Sequence, residues 1–254
     1  MESADEALLR SILAAHSKTP KEMLYLALGA TPVRYVLMSK RLNYLKYIIN
    51  EDDGTMLKEC FKAQHQEPTK GDWVTTVLAD MEHLNINMTF DEIKNVSVNS
   101  FKNIVKKQIK IKALEYLQQC QQSHSKSKHV IYHKLEMDEY LKSGNNLTIQ
   151  EKQFIFKART HMLNARCNFK TGLSNINCRH GCSELEEQVH ILQCSSISDN
   201  QVSSLNTPDY CELFGHDVKK ISTVGRILMT RSKIFFQDKP SAQDTGATAA
   251  NLVI

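Results

Sequence analysis

Cys178-Arg179-His180-Gly181-Cys182, followed by His190 and Cys194, sets three thiols and one imidazole in the order C-x3-C-x7-H-x3-C within seventeen positions. Zinc favours tetrahedral thiolate and imidazole ligation at about 2.0–2.3 Å, and a tight turn carrying two cysteines supplies two adjacent corners. Gly181 permits that turn. His190 and Cys194 lie four positions apart, so a helix over 184–193 would put both on one face and complete the tetrahedron. Four protein ligands leave no open coordination position, so the ion expected here is a structural Zn2+. Two alternatives stay open on the residues alone: an unligated thiol cluster, and His180 replacing Cys178 or Cys182 as a ligand. Cys60, Cys120, Cys167 and Cys211 are scattered, and each reads as a small buried or half-buried hydrophobic group.

A second chemistry is electrostatic. Between Lys102 and Lys134 there are eight lysines and one acid, Glu115, a net +7 that leaves −3 for the rest of a +4 chain. Such a concentrated basic segment is the footprint of a phosphate-binding surface, or else a solvated helix face. Lys102, Lys106, Lys107, Lys110, Lys126 and Lys128 are the candidate phosphate contacts. Arg179 and His180, on the cysteine turn, come next.

Helices must position these groups, because nine glycines and five prolines punctuate 254 residues and strand-like alternation with hairpin turns is missing. Thr19-Pro20-Lys21-Glu22 supplies an N-cap, a proline at the first helical position and a capping-box glutamate for a short helix stopped by Gly29, and Thr31-Pro32 starts a longer one over 33–49. On a wheel, Val33, Val36, Leu37, Tyr44, Tyr47 and Ile48 form one stripe of that helix. Met38, Leu42, Leu45 and Ile49 fall outside it, so two sides ask for cover, within this chain or from a domain beyond it. Thr89-Phe90-Asp91-Glu92 and Thr148-Ile149-Gln150-Glu151 are capping boxes, the second opening a helix expected to reach about Arg166. Ser100 is expected to open an amphipathic helix with Phe101, Ile104, Val105 and Ile109 on one face and Lys106, Lys107 and Lys110 on the other. Ser123 to His129 reads as a basic loop, 218–235 as a helix, and 237–254 as a disordered tail.

Several blocks, in order, resemble the region after the polymerase core of non-LTR retrotransposon reverse transcriptases. They are Ala15-His16-Ser17-Lys18-Thr19-Pro20, Glu22 to Leu26, Gly29 to Arg34, Lys40 to Leu45, Lys70-Gly71-Asp72-Trp73-Val74, His124 to Lys128, Glu151 to Arg159 and the Cys178, Cys182, His190, Cys194 set. The similarity spans about residues 7 to 235. It implies thumb-like helices over 1–50, a basic helical connector over 51–166, a CCHC zinc knuckle over 167–200 and a C-terminal helical segment over 201–236. The fold class expected is all-α, a thumb-like and connector bundle with a small zinc knuckle.

The parent family polymerises DNA on RNA with paired metal-binding aspartates. Asn50-Glu51-Asp52-Asp53 has acids without the aromatic of that motif, so this chain is expected to be non-catalytic, its polymerase core lying elsewhere. Pro208-Asp209 with Asp217-Val218-Lys219 matches the bare outline of a restriction-like nuclease, but a helix over 218–235 is the wrong context. The expected function is zinc-stabilised binding of RNA, DNA or both, without a membrane or a small-molecule substrate. A helical protein–protein interaction module and a functionless retroelement remnant are the alternatives. The acidic opening Met1-Glu2-Ser3-Ala4-Asp5-Glu6 does not read as a secretory signal, and an intracellular location, nuclear or cytoplasmic, is expected.

Overall fold

Side-chain caps account for most helix starts. The computed structural model describes residues 2–124, 129–168, 176–196 and 209–237. Its helices are α1 (Glu2–Leu13), α2 (Lys21–Leu28), α3 (Val33–Asn50), α4 (Met56–Gln66), α5 (Trp73–His83), α6 (Phe90–Asn95), α7 (Val98–Gln122), α8 (Ile149–Arg159), α9 (Gln188–Gln193) and α10 (Val218–Gln237). Short 3₁₀ turns lie at Glu139–Leu141, Arg166–Asn168 and Tyr210–Phe214. The described residues contain no strand, only an isolated bridge between Asn177 and Leu185. The fold is all-α, and no described helix is long and apolar enough to cross a membrane.

Two of the three expected capping boxes form; at the start of α2 the buried Thr19 hydroxyl has no hydrogen-bond partner among the described residues, so the Thr19–Glu22 box does not. Thr89 accepts the Glu92 N–H while Glu92 accepts the Thr89 N–H, and Thr148 and Glu151 do the same at α8. Elsewhere the boundaries move. Ser97, not Ser100, caps α7, its hydroxyl accepting the Ser100 N–H at 3.1 Å. Helix α8 stops at Arg159 rather than near Arg166: the Thr160 hydroxyl folds back on the Phe156 carbonyl at 2.9 Å, and His161 turns left-handed at φ +54°. The tail expected over 237–254 lies outside the described residues except Gln237, which ends α10.

The chain divides into two units, Met1–Leu9 with Lys21–His124 and Tyr132–Met137, and Arg10–Pro20 with Ser125–Ile131 and Asp138–Ile254. In the first, α7 packs on α2 and α3. Phe101, Val105, Ile109, Ala113, Leu117 and Gln121 are buried along it, each four residues after the last. Four residues overshoot one 3.6-residue turn by about 40°, so the apolar stripe winds round the helix. Lys102, Lys106, Lys107 and Lys110 are all exposed. Lys126 and Lys128 lie outside the described residues.

The wheel of α3 is corrected by its neighbours. Tyr35, Leu42, Leu45, Ile48 and Ile49 are buried, against α4, α5, α6 and α7. Val36, Tyr44 and Tyr47, three of the six residues in the stripe drawn from the sequence, are exposed.

Cations inside this unit are structural. Lys46 donates to the Ile93 and Lys94 carbonyls at 2.7 and 3.0 Å, and Lys58 to the Ile49 and Ile48 carbonyls at 2.6 and 3.3 Å, each capping a helix C-terminus. Arg41 clamps the buried Asp80 with two bonds of 2.6 and 2.9 Å.

Gly29 ends α2 at φ +60°, and a Cβ there would stand 2.3 Å from the Met137 nitrogen and 2.4 Å from the Glu136 carbonyl carbon. Both neighbours are backbone and cannot rotate away. Gly29→Ala is therefore expected to destabilise this unit by about 3 kcal/mol, measured by urea unfolding.

In the second unit one core joins α8, α9, α10 and the Tyr210–Phe214 turn: Ile155, Ala158, Ile191, Leu192, Leu213, Val224, Leu228 and Phe235 are buried together with Cys178 and Cys194. The cysteine-bearing segment thus shares its apolar interior with two longer helices. Arg159, 1% exposed, donates to the Leu213 and Gly215 carbonyls at 2.7 and 3.1 Å and ties α8 to the turn before α10.

Candidate metal centre

The turn at Cys178 is built by backbone bonds. The Cys178 N–H reaches the Glu184 carbonyl at 2.9 Å and the Glu186 N–H the Ile176 carbonyl at 2.9 Å, a two-residue ladder that pairs the ends of the loop. Between them Gly181 sits at φ +80° and its N–H closes on the Cys178 carbonyl at 3.1 Å. The His180 N–H points at Cys178 Sγ, 3.4 Å away, an orientation that favours a thiolate. Residues 184–187 are not helical as expected; α9 begins at Gln188, and Cys194 is the residue just past its end.

Sγ of Cys178, Cys182 and Cys194 and a ring nitrogen of His190 all lie within 4.8 Å of one another. Cys178 Sγ is 3.7 Å and Cys182 Sγ 3.9 Å from Cys194 Sγ, and His190 Nε2 is 3.1 Å from Cys182 Sγ. A tetrahedral ion with sulfur at about 2.3 Å sets ligand–ligand edges of about 3.8 Å. The two sulfur edges match that figure, and both are far too long for a disulfide. The set can hold one metal ion and is compatible with zinc.

Burial is uneven. Cys178, His190 and Cys194 are buried and Cys182 is half-buried. Burial pushes the Cys178 thiol up to about 12. At Cys182 hydrogen bonds from Cys178, the Glu184 N–H and Cys194 outweigh desolvation and hold the thiol below its ordinary range. Direct coordination of a divalent cation deprotonates such thiols whatever their burial.

The surroundings hold residues the sequence did not single out. Arg231 of α10 donates to the Ile191 carbonyl and the Cys194 carbonyl, both at 2.9 Å, fixing the end of α9 where the last ligand sits. Glu186, fully buried, receives Arg179 on both oxygens at 2.9 and 2.6 Å, together with the backbone N–H groups of Arg179 and Arg166. Desolvation pushes Glu186 up, but the Arg179 and Arg166 bonds outweigh it, and the carboxyl stays below the ordinary glutamate value of 4.5. One of five cations on α10 and a glutamate in a charged loop carry no motif, so neither was legible before folding.

A depressed folded value means that the ionised Glu186 stabilises the fold at neutral pH, and that this contribution fades as pH falls through 4.5 towards the folded value. Glu186→Gln is expected to cost about 3 kcal/mol at neutral pH, the scale for removing one partner of a buried pair. Urea unfolding of the two chains should show that gap narrowing in acid.

Arg179 and His180, the other two candidate phosphate contacts, are both engaged within the protein. The Arg179 guanidinium is committed to Glu186 and the Asn164 carbonyl and lies over the Phe236 ring at 4.7 Å. His180 Nε2 is 2.9 Å from the Phe235 carbonyl and its ring packs edge-on against Phe235, outside the four-ligand group, so it does not replace a cysteine there. The cleft beside the ligands is lined by Cys182, Glu184, Leu185, Glu187, Val189 and His190. Its exposed glutamates repel a polyanion. Asp209 and Asp217, the acids of the nuclease outline, cap the Tyr210–Phe214 turn and the start of α10; Pro208 lies outside the described residues.

Compared with protein-family models, curated proteins and solved structures, the chain matches none. The retroelement resemblance therefore rests on the sequence blocks themselves.

Proposed function

We propose that the chain is a non-catalytic, zinc-stabilised, nucleic-acid-binding part of a retroelement reverse transcriptase, acting beside a polymerase core supplied outside it. The observation that carries the binding reading is the α7 surface, where Lys102, Lys106, Lys107 and Lys110 are exposed opposite a buried apolar stripe and no acid lies among them. Four such cations along two turns suit a row of phosphates and read no bases. The metal, Zn2+ held by Cys178, Cys182, His190 and Cys194, serves architecture alone, since every corner is filled by protein. The acidic cleft beside it favours this division of labour: polyanion on α7, metal inside the second unit. RNA, DNA or a hybrid satisfies this surface equally.

Titrating the full chain with labelled RNA and DNA oligonucleotides over a range of salt tests the reading. Four phosphate contacts give a log–log slope of roughly −3 to −4. Binding that ignores salt, or no binding at low salt, contradicts it.

A further inference from the structure

Tyr44 and Tyr47, neighbours on α3, stack with ring planes 15° apart and centroids 5.9 Å apart. They are 45% and 53% exposed. Trp73, the first residue of α5, sets its ring edge-on to Tyr44, 84° between planes and 5.7 Å between centroids. All three belong to the first unit, where α3 packs on α5. The Glu51 carboxylate near the Tyr47 hydroxyl holds that phenol above its ordinary range. Neighbouring charge is separable by role. Lys40, one turn before Tyr44, and Lys70, just before α5, are exposed. Asp72 is occupied as the α5 cap, taking the Thr75 and Thr69 N–H groups at 2.6 and 2.7 Å.

Two exposed tyrosine rings beside a half-buried tryptophan, with Lys40 and Lys70 near in sequence, match a polymer of flat bases joined by phosphates. Each base offers a π-face whatever its identity, so stacking holds a strand without reading it. A duplex hides those faces inside its own stack. We infer that Tyr44, Tyr47 and Trp73 form a stacking ledge for the unpaired bases of single-stranded nucleic acid, with Lys40 and Lys70 meeting the flanking phosphates. The inference rests on the polynucleotide reading above, in that the α7 lysines bring the strand to this unit, but it uses different residues and a different force.

Trp73 is the only tryptophan of the chain, so its emission reports on the ledge alone. Titrating the full chain with oligodeoxythymidylate at low salt quenches that emission, while heparin, which has the charge and no bases, binds and leaves it unchanged. Replacing both tyrosines, Tyr44→Ala with Tyr47→Ala, weakens oligodeoxythymidylate binding about 10-fold or more and leaves heparin binding intact. Both side chains are exposed, so the variant keeps its fold, which circular dichroism checks. Undiminished affinity in that variant, equal quenching by heparin, or saturation by anisotropy without a change in Trp73 emission overturns the ledge and leaves the lysine surface standing. Failure of both polyanions to bind overturns both readings, and leaves the exposed rings to a protein partner.

Discussion

Removing the metal is expected to unfold the second unit while the first remains folded. Cys178 and Cys194 are members of that unit's apolar core, in contact with the set that includes Ile191, Leu192, Val224 and Phe235. Without an ion, the buried Cys178 and Cys194 thiols must each find another partner away from water. Structural zinc supplies roughly 10–16 kcal/mol to folding in isolated zinc modules, where little else holds the chain. Here α8 and α10 contribute a core of their own, so the loss lies below that range. A whole domain is stable by only about 5–15 kcal/mol, and a loss of several kcal/mol is enough to melt the unit near room temperature. The first unit has its own interior on α7 and contributes none of Cys178, Cys182, His190 and Cys194. Thermal unfolding followed by circular dichroism, with and without a tight chelator, is expected to split one transition into two, the lower one abolished when zinc is restored. His190→Ala is expected to reproduce the chelated curve without chelator. Coincident curves with and without chelator contradict the structural role.

Reversing the lysines has the second large effect. Lys102→Glu, Lys106→Glu, Lys107→Glu and Lys110→Glu together change the α7 surface by eight charges and touch no buried residue. Each phosphate contact contributes about −0.9 to the log–log salt slope on duplex and about −0.7 on single strands. Losing four such contacts removes most of a slope of roughly −3 to −4, and the added acids turn attraction into repulsion. At low salt the affinity should fall at least about 100-fold, with the helix content of the chain unchanged. A variant that binds as tightly as the original places the polyanion elsewhere. One that binds weakly but with the original slope shows that the lysines do not meet phosphates.

Local chemistry was readable where one or two neighbouring residues settle the matter. Thr89 with Glu92 and Thr148 with Glu151 satisfy orphaned N–H groups within a single turn, so the boxes could be placed without any tertiary information. The ligand set was legible for a similar reason, since four soft donors and a glycine turn occupy so short a stretch. What escaped depends on contacts made across the chain. Helix α3 is apolar on most of its circumference, and which side is buried is decided by α4, α5, α6 and α7 rather than by its own pattern. Arg179 looked like a free cation because Glu186, the acid that takes it, is fully buried seven residues away and only meets it once the Cys178 turn has closed. Helix α9 was drawn too long because the pairing of Asn177 with Leu185 claims residues that a helix would have used. The α7 face, by contrast, followed from periodicity alone, since its buried residues recur at a regular step.

Metal analysis of the purified chain, by native mass spectrometry with Cys178→Ser and His190→Ala alongside, bears most directly on the centre from which the second unit is built. One zinc ion per chain, absent from both variants, is the expected result. A chain that folds without metal, or one that keeps its zinc after either ligand is replaced, contradicts it.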